Sequence, residues 1–351
     1  MPQDKQIINM NSRPSQEAPK RPSAAKVRKF TLQFLRFLLL IIGVSFLSFA
    51  LVKLAPGDAA LENVGQSAYF TMSEEKRSQM IEYWQDDSGM LESYGTWAAN
   101  ALHGDLGYST LFHAPVIDVI QEKFLNSILV LSTAWILSGF LGFVLGIIAG
   151  YNKGKFIDKL IKGYCFILAS SPSFWIALLV LMVFAVQLGW FPIGFFSPIN
   201  TSTQDATVQQ ILYHAILPAL TLSIVGVANI ALHTREKTID VMNSKYIMFA
   251  QTRGMGRKRA LLKIGLRNLS LPAISLQFAS IAEIISGAVL IEQVFSYPGL
   301  GQATIDAAFG GDYNLLVSIA VFTAVIVFVG NVLANIISSK VDPRIDARQS
   351  W

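Results

Sequence analysis

The sequence predicts an all-α membrane protein with six transmembrane helices and both termini in the cytoplasm. Three observations carry that expectation. The 351 residues are 52% hydrophobic and only 15% charged, against about 25% charged in a soluble domain; mean hydropathy is +0.47. Uncharged runs long enough for a ~30 Å hydrocarbon core recur at 34–54, 125–149, 166–188, 215–232, 271–291 and 315–337. Backbone groups in lipid need internal partners, which runs of this length find as helices. Finally, 24 of the 28 Lys and Arg residues fall on one side of the resulting topology, the mark of a cytoplasmic face. The net charge of +5 is therefore read as topology, with no nucleic-acid partner. A cytosolic enzyme and a disulfide scaffold are excluded, since Cys165 is the only cysteine.

The tail 1–29 is polar, carries Pro14, Pro19 and Pro22, and is expected to be disordered. The first span is too long for a signal peptide and ends at the turn Ala55-Pro56-Gly57-Asp58. The segment 55–124 is extracytoplasmic, with eleven acidic and three basic residues. Thr71 and Glu74 have capping-box spacing, followed by Met80, Ile81 and Trp84 on one helical face. A second short helix is expected at 91–102, with Leu91, Tyr94, Trp97, Ala98 and Ala101 as its stripe. These helices suit either a vestibule that docks a partner or a solvated cap over the span ends. In the second span, Gly142, Gly146 and Gly150 form a ridge that admits close approach of another helix.

The connection 234–270 is long and basic. Tyr246, Phe249, Ala250 and Arg253 sit at helical spacing, and Gly254 suits a left-handed helix terminus. The expectation is a short helix along the membrane, with Ala250 small enough for a partner to pack close, Gly254 as its hinge and basic flanks. A second basic helix near 258–266 then leads to Pro272, which opens the fifth span. The bland alternative is a basic loop set by topology alone.

Glu283 reads as the only acidic residue deep in a span, so it should face water, a partner or a proton. Asn229, Asn331 and Asn335 are further candidates for a polar path, with interhelical hydrogen bonding as the other use of Asn331 and Asn335. His103, His113, His214 and His233 lack metal-ligand spacing. Gly150-x-x-x-Gly154-Lys155-Phe156 falls one residue short of a phosphate-cradling loop and lacks its hydroxyl.

The stretch Ala250-x-x-x-Gly254, followed by Arg267-Asn268 and Pro272, resembles the EAA loop of permease subunits from binding-protein-dependent ABC importers. Further segments resemble the dipeptide/oligopeptide/nickel branch of that family. They include Leu54-Ala55-Pro56-Gly57-Asp58, Gly104-Asp105-Leu106-Gly107, Ser171-Pro172-Ser173-Phe174-Trp175, Leu188-Gly189-Trp190-Phe191-Pro192, His214-x-x-Leu217-Pro218-Ala219, Phe295-Ser296-x-Pro298-Gly299-Leu300-Gly301, Asp312-Tyr313 and Asp342-Pro343-Arg344. Lys245 departs from the acidic residue usual there. The resemblance covers about 30–346, leaving the tails 1–29 and 347–351 outside. It implies a type I permease fold in a prokaryotic inner membrane. It also implies a homologous second permease, two ATP-binding subunits that hold ATP and magnesium, and an extracytoplasmic solute-binding protein. This chain would bind no cofactor and hydrolyse nothing itself. It would form half of a path for di- or oligopeptides, with Tyr246, Phe249, Ala250, Arg253, Gly254 and Met255 coupling it to the ATPases. Nickel or a metallophore complex is the alternative cargo. A proton-coupled secondary transporter using Glu283 is the alternative class.

Overall fold

A computed structural model describes residues 24–54, 73, 74, 76, 90–194 and 208–341. Helix α1 spans Ala24–Leu54 and α2 Met90–Leu102. A two-residue hairpin follows, β1 Tyr108–Ser109 against β2 Ala114–Pro115, antiparallel. Then come α3 Val116–Tyr151, α4 Phe156–Ser170, α5 Ser173–Gln187, α6 Val208–Met242 and α7 Lys245–Thr252. The chain continues with α8 Arg257–Ala279, α9 Ile281–Val294, α10 Leu300–Phe309 and α11 Tyr313–Val341. Of the tail 1–29 expected to be disordered, residues 24–29 are instead the first turns of α1; its remainder up to residue 23, the turn at 55–58, the helix expected after Thr71, the motif at 342–344 and the tail 347–351 lie outside the described residues.

Helices α3, α6 and α11 are each long and apolar enough to cross a bilayer. The pairs α4–α5 and α8–α9 reach that length together, and α1 holds a shorter apolar stretch, Leu35–Leu51. Two expected spans are thus not straight helices. The third, expected as one run, is two helices meeting at 108°. Pro172 forces the residue before it out of the helical region, and Ser171 is extended at φ −95°, ψ 135°. The fifth does not open at Pro272. That proline lies inside α8, and the 48° bend falls between α8 and α9, at Ser280, whose ψ is −4°. Spanning helices tolerate an internal proline when neighbours satisfy the freed backbone group. The separate basic helix expected near 258–266 is accordingly the first part of α8.

The spine of the molecule is α3 against α6. Gly142 lies on Ile230, Gly146 on Ala231 and Thr234, and Gly150 on Arg235 and Thr238. Both series advance by about one turn, so the two helices touch along matching four-residue ridges. The glycine spacing in the sequence anticipates this contact. At the end of the ridge, Arg235 grips the buried Asp158 of α4 through two hydrogen bonds, Nε to Oδ1 at 2.5 Å and Nη2 to Oδ2 at 2.8 Å. The Gly154 amide donates to the same carboxylate at 2.8 Å. The near-match to a phosphate loop is therefore a helix connection closed by its own acid.

Around this spine, α1 packs on α11, with Phe37 and Phe328 stacked at 4.0 Å. The α2 helix docks on α1 through Tyr94, whose hydroxyl lies 2.8 Å from Ser45 Oγ and whose ring meets Phe46 and Phe49 edge-on. Leu91, expected in the same stripe, is exposed. Asp312 ties the hairpin to α11, accepting from Ser109 Oγ at 2.6 Å and from the amides of Leu111 and Leu315.

A side chain at Gly146 would meet the Ala231 carbonyl and Thr234, whereas one at Gly43 meets nothing. Gly146→Val should cost about 1–3 kcal/mol through overpacking, and Gly43→Val far less. Thermal melts of the two purified variants check this; equal midpoints would dissociate the ridge from stability.

Candidate functional site

Two places concentrate built polar or exposed aromatic chemistry. One is α7, beside the final turns of α3 and α6. The other is the junction of α3, α9 and α10, around Ser127 near the start of α3. Ser127 and Tyr151 are 24 residues apart on α3, or about 36 Å, so the sites lie at opposite ends of the bundle.

At the first site, Ser244 takes an extended backbone and starts α7. The helix closes with a Schellman motif: the Met255 amide donates to the Ala250 carbonyl at 3.1 Å and the Gly254 amide to Gln251 at 2.9 Å. Gly254 has φ +85°, where a side chain is strained. The glycine-closed helix expected from the sequence is thus present. Ile247 and Ala250 are buried against Val241, Met242, Ala260, Leu261 and Leu269, with Met255 packed alongside. Tyr246, Met248 and Phe249 face outward, and the Arg253 guanidinium lies over the Phe249 ring at 4.9 Å. The six expected coupling residues therefore divide. Tyr246, Phe249 and Arg253 form a projecting face, while Ala250, Gly254 and Met255 fix the helix to the body. The room that Ala250 makes is taken by this chain's own α7–α8 packing, which corrects the expectation that a partner uses it.

At the second site, Glu292 of α9 is 1% exposed. Its Oε1 accepts from Ser127 Oγ at 2.7 Å. Its Oε2 accepts from the Gly301 amide at 2.7 Å and the Gln302 amide at 3.4 Å. Ser127 Oγ in turn accepts from the Leu300 amide at 2.7 Å. The first turn of α10 thus has its free amides met by groups from α9 and α3, which stand in for an N-cap side chain. Asn126 brackets the loop before it, donating to the Pro298 carbonyl at 2.9 Å and accepting from Tyr297 Oη at 3.2 Å. Side chains at Gly299 or Gly301 would collide with Glu292, and at Gly301 with the Val289 backbone too. The glycines of Gly299-Leu300-Gly301 are there because a carboxyl group occupies their Cβ space.

Glu292, near the end of α9, is a buried acid, additional to Glu283, that the sequence reading does not single out. Helix α9 runs three residues past the expected end at 291. The signal was present as an acid just beyond an apolar run, beside a glycine-rich turn. Its partner Ser127 is 165 residues away, so nothing local announces the pair. Glu283 is exposed on the isolated chain, with Asn229 Nδ2 3.4 Å from its Oε2. The structure thus brings two of the four path candidates together. Asn331 and Asn335 are exposed on α11, with no side-chain hydrogen bond among the described residues. Between α3, α8, α9, α10 and α11 lies a mostly apolar cavity of about 290 Å³, reached by Ser127, Trp135, Glu292, Thr304 and Thr323.

Removing Glu292 strands two buried donors, Ser127 Oγ and the Gly301 amide, and a third that is part-buried; each buried donor left without a partner costs about 1–3 kcal/mol. Glu292→Ala should therefore sharply lower the melting midpoint of the purified protein, while Glu283→Ala, at an exposed site, stays close to the parent. The reverse order would remove Glu292 from the structural role described.

The sequence profile described as "Binding-protein-dependent transport system inner membrane component" matches residues 142–347. The oligopeptide transport system permease protein AppB of Bacillus subtilis is 34% identical over 308 residues, 88% of this chain and 95% of that protein. The dipeptide transport system permease protein DppB of Escherichia coli is 28% identical over 322 residues, 87% and 94% respectively.

Proposed function

The chain belongs to the family of binding-protein-dependent transport system inner membrane components, and from that premise we propose that it is a peptide-conducting permease subunit of an ATP-driven importer. It is a multi-pass inner-membrane protein. In this reading α1, α3, the bent pair α4–α5, α6, the bent pair α8–α9 and α11 make six spans with both termini cytoplasmic. The positive-inside distribution of Lys and Arg supports that orientation. The permeases AppB and DppB are named for oligopeptides and dipeptides, which favours peptide cargo over nickel or a metallophore complex.

The observation that carries the mechanism is the construction of α7. A helix held by Ile247 and Ala250 in the core, closed at Gly254, and showing Tyr246, Phe249 and Arg253 outward is suited to sit in a groove of another subunit. Its rigid seating on α6 and α8 lets a displacement of that groove move whole spans. Two ATP-binding subunits would supply the displacement, and a homologous permease the other half of the path. An extracytoplasmic solute-binding protein would deliver peptide to the end of the bundle where Glu292 lies. Rocking between inward-open and outward-open states then needs only a few kcal/mol of differential binding. Glu283 and Asn229, with Asn331 and Asn335, are the polar groups offered to the passing peptide.

Phe249 and Tyr246 are exposed, so truncating them should spare the fold. Tyr246→Ala/Phe249→Ala in the reconstituted complex should lose at least about tenfold of the ATP hydrolysis stimulated by loaded binding protein, about 1.4 kcal/mol of coupling. Full stimulation in the double variant would remove α7 from the coupling path.

A further inference from the structure

The groove between α3 and α8 is made of two separate pockets, and Phe143, Ile147 and Tyr151 of α3 pack against the core beneath it. Its apolar half, about 300 Å³, is lined by Ile136, Phe140 and Phe143 of α3 and by Ser270, Ala273 and Ile274 of α8. Ile136 and Phe140 are more than 60% exposed. Its other half, about 810 Å³, is an open basic pocket between Tyr151 at the end of α3 and Arg257, Lys258, Arg259, Leu262 and Lys263 at the start of α8. Arg257 lies over the Tyr151 ring at 5.5 Å. Lys258, Arg259 and Lys263 have no ion-pair partner among the described residues, and the sequence holds no acidic residue between Asp240 and Glu283. The backbone widens into a π-helical stretch at Leu261–Gly265, which carries exposed Leu262 and Lys263 into the pocket.

We infer that this groove binds an anionic phospholipid, with the headgroup phosphate in the basic pocket and an acyl chain along the apolar half. Three features favour this occupant. The charge is uncompensated and of one sign, and basic pockets between spanning helices on the cytoplasmic side take anionic headgroups. The exposed apolar side chain of Leu262 sits among the cations, which suits an amphiphile better than a free anion. The dimensions also match. Phe140 to Tyr151 on α3, and Ile274 to Lys263 on α8, are each about three turns, ~17 Å. One leaflet of a ~30 Å hydrocarbon core is about as deep. Tyr151 supplies the aromatic ring found at headgroup level in many spanning helices. The site lies apart from the projecting face of α7; it rests on the proposed orientation, with this end cytoplasmic, and on the groove facing lipid, and it stands whatever the cargo.

The test is photolabelling of the complete complex, purified through this chain, in phosphatidylcholine vesicles doped with diazirine-tagged phosphatidylglycerol or diazirine-tagged phosphatidylcholine. The phosphatidylglycerol probe should mark peptides containing Phe140 and Ile274 several-fold more than the phosphatidylcholine probe. Arg259→Gln/Lys263→Gln should abolish that preference, whereas Lys159→Gln/Lys162→Gln, removing the same charge from α4, should leave it. Equal labelling by both probes overturns the proposal. So does displacement by excess inorganic phosphate, which would make the pocket a free-anion site. Failure of both probes to label the groove in the complete complex also overturns it, by showing the groove covered by another subunit.

Discussion

Everything in this chain hangs on how closely α3 and α6 approach. Lipid tails are as apolar as leucine, so burial of greasy surface does not by itself drive two helices together within a bilayer; close packing must. Gly142, Gly146 and Gly150 remove the side chains that would hold the helices apart, and Ile230, Thr234 and Thr238 fill the space on the other side. With that contact set, Arg235 comes within reach of Asp158, and the ends of both helices form the floor on which Ile247 and Ala250 seat α7. At the far end, the same α3 brings Asn126 and Ser127 to α9 and α10.

The two ends are built for different tasks. Around α7 the interior is apolar and the outer face carries Phe249 with Arg253 over its ring. Around Glu292 nearly every polar atom finds a partner inside the chain, so that end is self-contained. Between them the bends at Ser171–Pro172 and at Ser280 divide two long apolar stretches into shorter rods. A span in two pieces can change its angle at one point without distorting its packing elsewhere, whereas α3 and α6 cannot move apart without losing their glycine contact.

How much of this was legible in the sequence follows from the range of each interaction. Hydropathy marked the long apolar helices α3, α6 and α11, because lipid imposes one rule on every stretch of chain. The glycine ridge and the closure of α7 at Gly254 were legible because each is written within a few residues. The kink at Pro172 was written there too, but a long apolar run masked it. Pro272 misled in the opposite sense: a proline reads as a helix start, yet neighbouring helices allow α8 to continue through it. Ala250 was correctly placed on a helix and given the wrong neighbour, since spacing does not say which face meets the protein's own core. Glu292 was missed because its meaning lies in Ser127 and in backbone amides that only the folded chain brings to it.

The Glu292 junction also bears on how the protein is made. The carboxyl group leaves the ribosome nine residues ahead of Gly301 and ten ahead of Gln302, roughly a second at ordinary elongation rates. Until those amides arrive only Ser127 is available to it, and a carboxyl group so poorly matched resists entering lipid. The carboxyl group of α9 is therefore fully matched only once the first turn of α10 has been made, which couples the settling of the two helices.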